Sequence, residues 1–193
     1  DAVIGGVPVD SEYIIFVIDT SGSMQRFAWP LVRQKMKEIL DIYPRVKGVQ
    51  VLNDMGDYMF SQYAGNWIPD SNARRRAILE RLSSWAPFSN SSPVEGITQA
   101  IGRFYAADKK ISLYVFGDDF SGGLMQNVVD TIRQKNAAGS GRNSRVRIHT
   151  VGFPVLLDQP GAGQNAARFA ALMRRLAEDN NGSFVGLPGL REP

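Results

Sequence analysis

Two regimes alternate along the chain. Tyr13-Ile14-Ile15-Phe16-Val17-Ile18 is an unbroken run rich in β-branched and aromatic residues, the pattern of a strand covered on both faces. From Trp29 to Ile42 the period changes. Leu31, Val32, Met36, Ile39 and Leu40 recur at helical spacing and the run stops before Pro44, which predicts a covering helix. Val46 to Asn53 and Asp57 to Ser61 read as two short strands joined by a turn at Asp54-Met55-Gly56. Asp70 or Ser71 can cap a helix running through Ser84, with Ala77, Ile78, Leu79 and Leu82 on its apolar side and Trp85-Ala86-Pro87-Phe88 as its stop. Pro93 opens a further helix at its first turn, with Val94, Ile97, Ile101 and Phe104 forming its stripe. Ile111 to Phe116 repeats the all-apolar strand pattern. Val128 to Lys135 is helical, Arg145 to Phe153 is a strand, Ala166 to Asp179 is a helix, and Ser183-Phe184-Val185 supplies a short last strand.

Strands alternating with helices predict an α/β fold, a mostly parallel sheet with helices on both faces. The 193 residues, 44% of them hydrophobic, suffice for one well-buried domain. We read 1–193 as a single domain, with 1–11 as an N-terminal extension and 187–193 as a C-terminal tail. Its ends have the look of an excised domain or a mature form.

The first strand runs directly into Asp19-Thr20-Ser21-Gly22-Ser23. In an open α/β sheet, ligands bind at the carboxyl ends of the strands, where Asp19 stands. A turning loop can aim Asp19, Ser21 and Ser23 at one point. Only hard oxygen donors are on offer, which suits Mg²⁺, Mn²⁺ or Ca²⁺ and argues against zinc. The plainer role for these residues is capping the next helix. Asn53, Asp54 and Asp57 lack the alternation and closing Glu of an EF-hand, so a turn is the better reading there.

At Asp19, Ser21 and Ser23 the chain resembles the von Willebrand factor type A family, whose metal-ion-dependent adhesion site begins with Asp-x-Ser-x-Ser after the first strand. The resemblance extends over essentially the whole chain and implies a doubly wound, six-stranded sheet of order 3-2-1-4-5-6. It also implies two further ligands. Ser92-Pro93-Val94 aligns with the family's Thr-Pro-Leu, giving Ser92 the Thr position, with Ser91 as the alternative if the register slips by one. Val115-Phe116-Gly117-Asp118-Asp119 aligns with Leu-x-Thr-Asp-Gly, giving Asp118 the metal position and leaving Asp119 where Gly is usual. Two carboxylates and three hydroxyls balance one divalent cation, Mg²⁺ being preferred, and leave a position open. The resemblance implies that a Glu or Asp of a partner protein takes that position, with Arg26 and Phe27 as the first candidates for partner contacts. It also suggests an extracytoplasmic, adhesive role. An intracellular scaffold of an ATPase or chelatase assembly is the alternative.

Other chemistries find little support. His149, the one histidine, lies mid-strand, where a packed or hydrogen-bonded role is expected. Nucleophile elbows, phosphate-cradling loops and dinucleotide fingerprints do not occur, and Asp19-Thr20-Ser21 lacks the second carboxylate of an Asp-x-Asp phosphatase. A non-catalytic protein is therefore expected, with metal-dependent hydrolysis as the enzymatic alternative. The excess of 22 basic over 19 acidic residues gives no case for nucleic acid. Arg74-Arg75-Arg76 and Arg142, Arg145 and Arg147 read as solvated faces. The chain has no cysteine and therefore no disulfide framework or thiol nucleophile. No apolar stretch reaches the roughly 18 residues of a membrane span. Asn90-Ser91-Ser92 and Asn181-Gly182-Ser183 fit the glycosylation sequon, a triplet common by chance.

Overall fold

A strand without polar interruption must be covered on both sides, and in this protein it is. The computed structural model describes residues 3–4, 7–8, 10–138, 144–155 and 163–187. Its central sheet comprises β1 (Tyr13–Ile18), β2 (Gly48–Asn53), β3 (Ile68–Pro69), β4 (Ile111–Gly117), β5 (Arg147–Gly152) and β6 (Phe184–Gly186). The order is β3-β2-β1-β4-β5-β6, the doubly wound order expected. Every pair is parallel except β2 with the edge strand β3. The helices are α1 (Trp29–Ile42), α2 (Asn72–Arg81), α3 (Val94–Phe104), α4 (Met125–Asn136) and α5 (Gly163–Asp179). In the N-terminal extension, Val3–Ile4 pairs antiparallel with Val7–Pro8. No described helix is long and apolar enough to cross a membrane.

Successive strand side chains leave opposite faces. Ile14, Phe16 and Ile18 of β1 therefore join one apolar cluster with Val32, Met36 and Ile39 of α1 and Ile78 of α2. Ile15 and Val17 join the other, with Ile97 and Ile101 of α3, Ile132 of α4 and Leu172 and Leu176 of α5. Each such burial contributes on the order of 1.5–3 kcal/mol.

The expected strand at Asp57 to Ser61 does not form. Only an isolated antiparallel bridge joins Leu52 to Tyr58, and a 3₁₀ turn follows at Ser61–Tyr63. The bridge rests on two backbone bonds, Asn53 N–H to the Asp57 carbonyl at 2.9 Å and Met59 N–H to the Val51 carbonyl at 3.0 Å, and beyond it the Gln50 amide donates to the carbonyls of Tyr63 and Asn66 at 3.0 and 2.7 Å and holds that stretch as a loop. The antiparallel edge falls instead on Ile68–Pro69, where Pro69 is tolerated because an edge position needs no N–H.

Two strands start later than their apolar pattern suggests. The Val46 N–H donates to Asp70 at 2.9 Å, so β2 begins at Gly48. The Val146 N–H and carbonyl are both bound by the Asn136 amide, so β5 begins at Arg147. Of the two candidate caps for α2, Ser71 accepts the Arg74 N–H at 3.1 Å and Asp70 does not cap.

Candidate metal centre

Parallel register decides what meets at the top of the sheet. Ile18 is level with Asn53 of β2 and Phe116 of β4, so Asp19, Asp54 and Asp118 all emerge at the same carboxyl edge. The Asp19 N–H donates to the Phe116 carbonyl, and the Asp54 N–H to the Ile18 carbonyl, each at 2.9 Å.

The chain then turns tightly. Ser21 N–H donates to Asp19 Oδ1 at 2.8 Å, a local turn of the kind short polar side chains favour. A π-helical turn, Met24–Ala28, separates the motif from α1, the sort of widened turn often found at functional sites. It buries Met24 and Ala28 and turns Arg26 and Phe27 to solvent. The Arg26 guanidinium lies over the Phe27 ring, 5.8 Å from its centroid.

Four of the five expected ligands converge. The Ser23 hydroxyl donates to Asp118 Oδ2 at 2.6 Å and lies 3.1 Å from the Ser21 hydroxyl, while Ser21 is bound to Asp19 through its backbone. Of the two adjacent carboxylates after β4, Asp118 therefore faces the cluster, and Asp119 accepts the Phe120 N–H at 2.7 Å. Ser92 is buried, but among the described residues no hydrogen bond joins its hydroxyl to Asp19, Ser21, Ser23 or Asp118. Its N–H donates to the Asn90 side chain. Ser91 adopts a left-handed backbone, φ 54°, and with Asp119 lines a void of about 10 Å³ shared with Asp19 and Asp54.

Two side chains beyond the expected set complete the cluster. The Ser89 hydroxyl lies 3.2 Å from Asp19 Oδ1 and 2.8 Å from Asp54 Oδ2, and its single hydrogen serves one of them at a time. Asp54 also accepts the N–H groups of Thr20 and Asn90, at 3.3 and 3.2 Å, tying the first and second loops together. The Asp54 turn itself forms as read from the sequence, with Gly56 at φ 88°. What the composition of that turn did not reveal is that parallel pairing of β1 with β2 brings Asp54 up beside Asp19. Gly96 makes the approach possible. A Cβ there would lie 2.5 Å from the Asn53 carbonyl oxygen and 2.6 Å from Val17 Cγ1, so only glycine lets α3 press onto the strand ends.

Asp19 Oδ2 and Asp118 Oδ1 are buried with no hydrogen-bond partner. Leaving such oxygens unmatched is costly, and doubly so when both are ionised. Burial, then the charge of Asp118, pushes the Asp19 carboxyl up to about 7. Asp118 is raised chiefly by burial, with the Ser23 hydrogen bond opposing. Asp54 is raised by burial as well, against the bond from Ser89. Two orphaned carboxylate oxygens beside hydroxyls are the donor set of a hard divalent cation, so the residues present fit one. Among the described residues no three His, Cys, Asp and Glu side chains are grouped to hold a metal, so a cation here rests on two carboxylates supplemented by hydroxyls.

His149 belongs to the fold. Its ring stacks on Tyr114 with centroids 4.7 Å apart, its Nδ1 accepts the Ser183 N–H at 3.2 Å, and burial followed by the nearby Arg147 charge lowers it to about 4. Arg142 lies outside the described residues. No model of a known protein family matches this chain, and the search of curated proteins returns no match either.

Proposed function

We propose that the protein is a metal-dependent protein-binding module of the von Willebrand factor type A kind, holding a divalent cation on Asp19, Ser21, Ser23, Ser92 and Asp118. The observation that carries this reading is the pair of orphaned, buried carboxylate oxygens on Asp19 and Asp118. A cation bound there supplies Lewis acidity toward one more carboxylate. The protein's own part is to hold two carboxylates close while Ser23 fixes Asp118 and Ser21 and Ser89 fix Asp19. Neutral hydroxyls orient the oxygens without adding charge, so the two negative charges just balance the ion, and a Glu or Asp of a partner protein completes the coordination.

Mg²⁺ is the preferred ion, bound at about 2.0–2.1 Å and reluctant to shed water, with Mn²⁺ or Ca²⁺ as substitutes. Catalysis is not part of the proposal. Calorimetric titration of wild type, Asp19→Ala and Asp118→Asn with Mg²⁺ and Mn²⁺ tests the reading. Binding by wild type alone is expected; equal binding by all three proteins would sink it.

A further inference from the structure

The described residues expose four large hydrophobic side chains, Phe27, Ile42, Phe88 and Leu124. Isolated exposed hydrophobics are ordinary, but three of these occupy the three loops that build the candidate metal centre. Phe27 is on the π-helical turn that follows Ser23, Phe88 directly precedes Ser89, and Leu124 ends the loop that leaves Asp118. The fourth, Ile42, is at the far end of α1, about 20 Å along the axis at 1.5 Å per residue.

Loose loops do not account for this exposure. The Asn53 amide holds the Phe88 carbonyl at 2.8 Å. Ser121 binds the carbonyls of Asn90 and Ser91 through its hydroxyl and N–H, at 2.9 and 3.3 Å, and Arg168 holds the Gly123 carbonyl at 2.9 Å. Phe27 is anchored by buried Met24 and Ala28 on either side. The backbone is pinned while the rings and the leucine point outward, with Phe88 and Leu124 at 75% and 68% exposure.

We infer that this apolar rim selects partners whose metal-binding Glu or Asp is flanked by large apolar side chains, an inference that rests on the metal-dependent reading above. Charge sets the centre of the footprint, since a cation on the cluster and exposed Arg26 beside it both favour an acid. The rim sets its neighbours. Covering one phenylalanine or leucine on each side is worth on the order of tenfold in affinity.

The test uses two dye-labelled peptides, Gly-Gly-Phe-Glu-Leu-Gly-Gly and Gly-Gly-Ser-Glu-Ser-Gly-Gly, followed by fluorescence polarisation in Mg²⁺ and in EDTA. The apolar peptide should bind about tenfold tighter or better, and only in Mg²⁺. Phe27→Ser/Phe88→Ser/Leu124→Ser, with Phe88→Ser alone as a milder variant, should keep Mg²⁺ binding and melting temperature but lose the preference. Equal affinities, no binding of either peptide, or a preference that survives the triple substitution overturns the inference. Rim-dependent self-association, or rim-dependent sedimentation with phosphatidylserine vesicles in place of peptide binding, does so too. If Mg²⁺ fails to bind the wild type, the functional reading falls and this falls with it; if Mg²⁺ binds and the peptides are not discriminated, only the rim is refuted.

Discussion

Asp70 and Asp19 both shield their carboxylates from solvent, and their surroundings treat them in opposite ways. The Asp70 carboxylate, its side chain fully buried, takes Nε and Nη2 of Arg75 at 2.8 and 2.7 Å and the Val46 N–H at 2.9 Å. Burial raises its pKa, but the bonds and charge of Arg75 outweigh that and hold it below the usual carboxylate range. Asp19 has hydrogen bonds to one oxygen only, and the nearby charge is a second carboxylate. Asp70 is answered within the protein, whereas Asp19 keeps one buried oxygen without a donor. A buried acid with both oxygens answered by donors belongs to folding; one left half-answered beside another acid is a candidate for ligand binding.

The comparison breaks most visibly at Arg75, which also donates to the carbonyls of Leu40 and Tyr43 at the end of α1. Arg75→Met leaves Asp70 buried and unpaired and should lower stability by about 3–5 kcal/mol in urea denaturation. A loss under about 1 kcal/mol would show that Asp70 is solvated once its partner goes.

The next effect is that of the metal and pH together. Asp19 shifts from 3.8 to about 7 on folding, so its contribution to the metal-free protein is full below pH 3.8 and is lost as the pH rises through about 7. Asp70, depressed from 3.8, has the opposite sign: its contribution is present above pH 3.8 and is lost as the pH falls through its lower folded value. In EDTA the protein should stay folded, because neither apolar cluster draws on a residue of the candidate site, and Asp19→Asn should melt higher than wild type near pH 8. Saturating Mg²⁺, at a hundredfold excess over its dissociation constant, should stabilise wild type by about 2.7 kcal/mol. That gain should shrink as the pH falls from 7 toward 4, because a protonated Asp19 has no charge to offer. Thermal scans across this range check both signs, and a Mg²⁺ gain independent of pH would remove Asp19 from the site.

The smallest expected effect concerns Ser89. Ser89→Ala should weaken Mg²⁺ binding about tenfold, equivalent to about 1.4 kcal/mol, by freeing one oxygen of Asp19 or Asp54 without removing a carboxylate. Unchanged calorimetric affinity would confine Ser89 to loop structure.

Periodicity alone located the elements that bury one stripe or two faces: β1, β4, α1 and α3 stand close to where their apolar patterns end. It failed where a side chain captured a backbone group. The Gln50 amide captured the Tyr63 and Asn66 carbonyls just beyond Asp57 to Ser61, and the Asn136 amide delayed β5. These substitutions leave no trace in the alternation of apolar and polar residues, because the captured strand is as apolar as one that pairs.

The candidate site divides along the same line. Asp19, Ser21 and Ser23 lie within five residues of chain and follow an unmistakable strand, so sequence alone determined that oxygen side chains collect at its carboxyl end; the likeness to a known motif pointed to Asp118. Only the tertiary structure decided that Ser89 and Asp54 join them, that Asp118 and not Asp119 meets Ser23, and that the Ser92 hydroxyl stands apart from the hydrogen-bonded group. It also decided that two carboxylate oxygens are buried without partners. The physical reason is reach. A turn of a few residues is set by local backbone chemistry, whereas the meeting of three loops depends on the parallel register of β2, β1 and β4 and on the space that Gly96 leaves for α3.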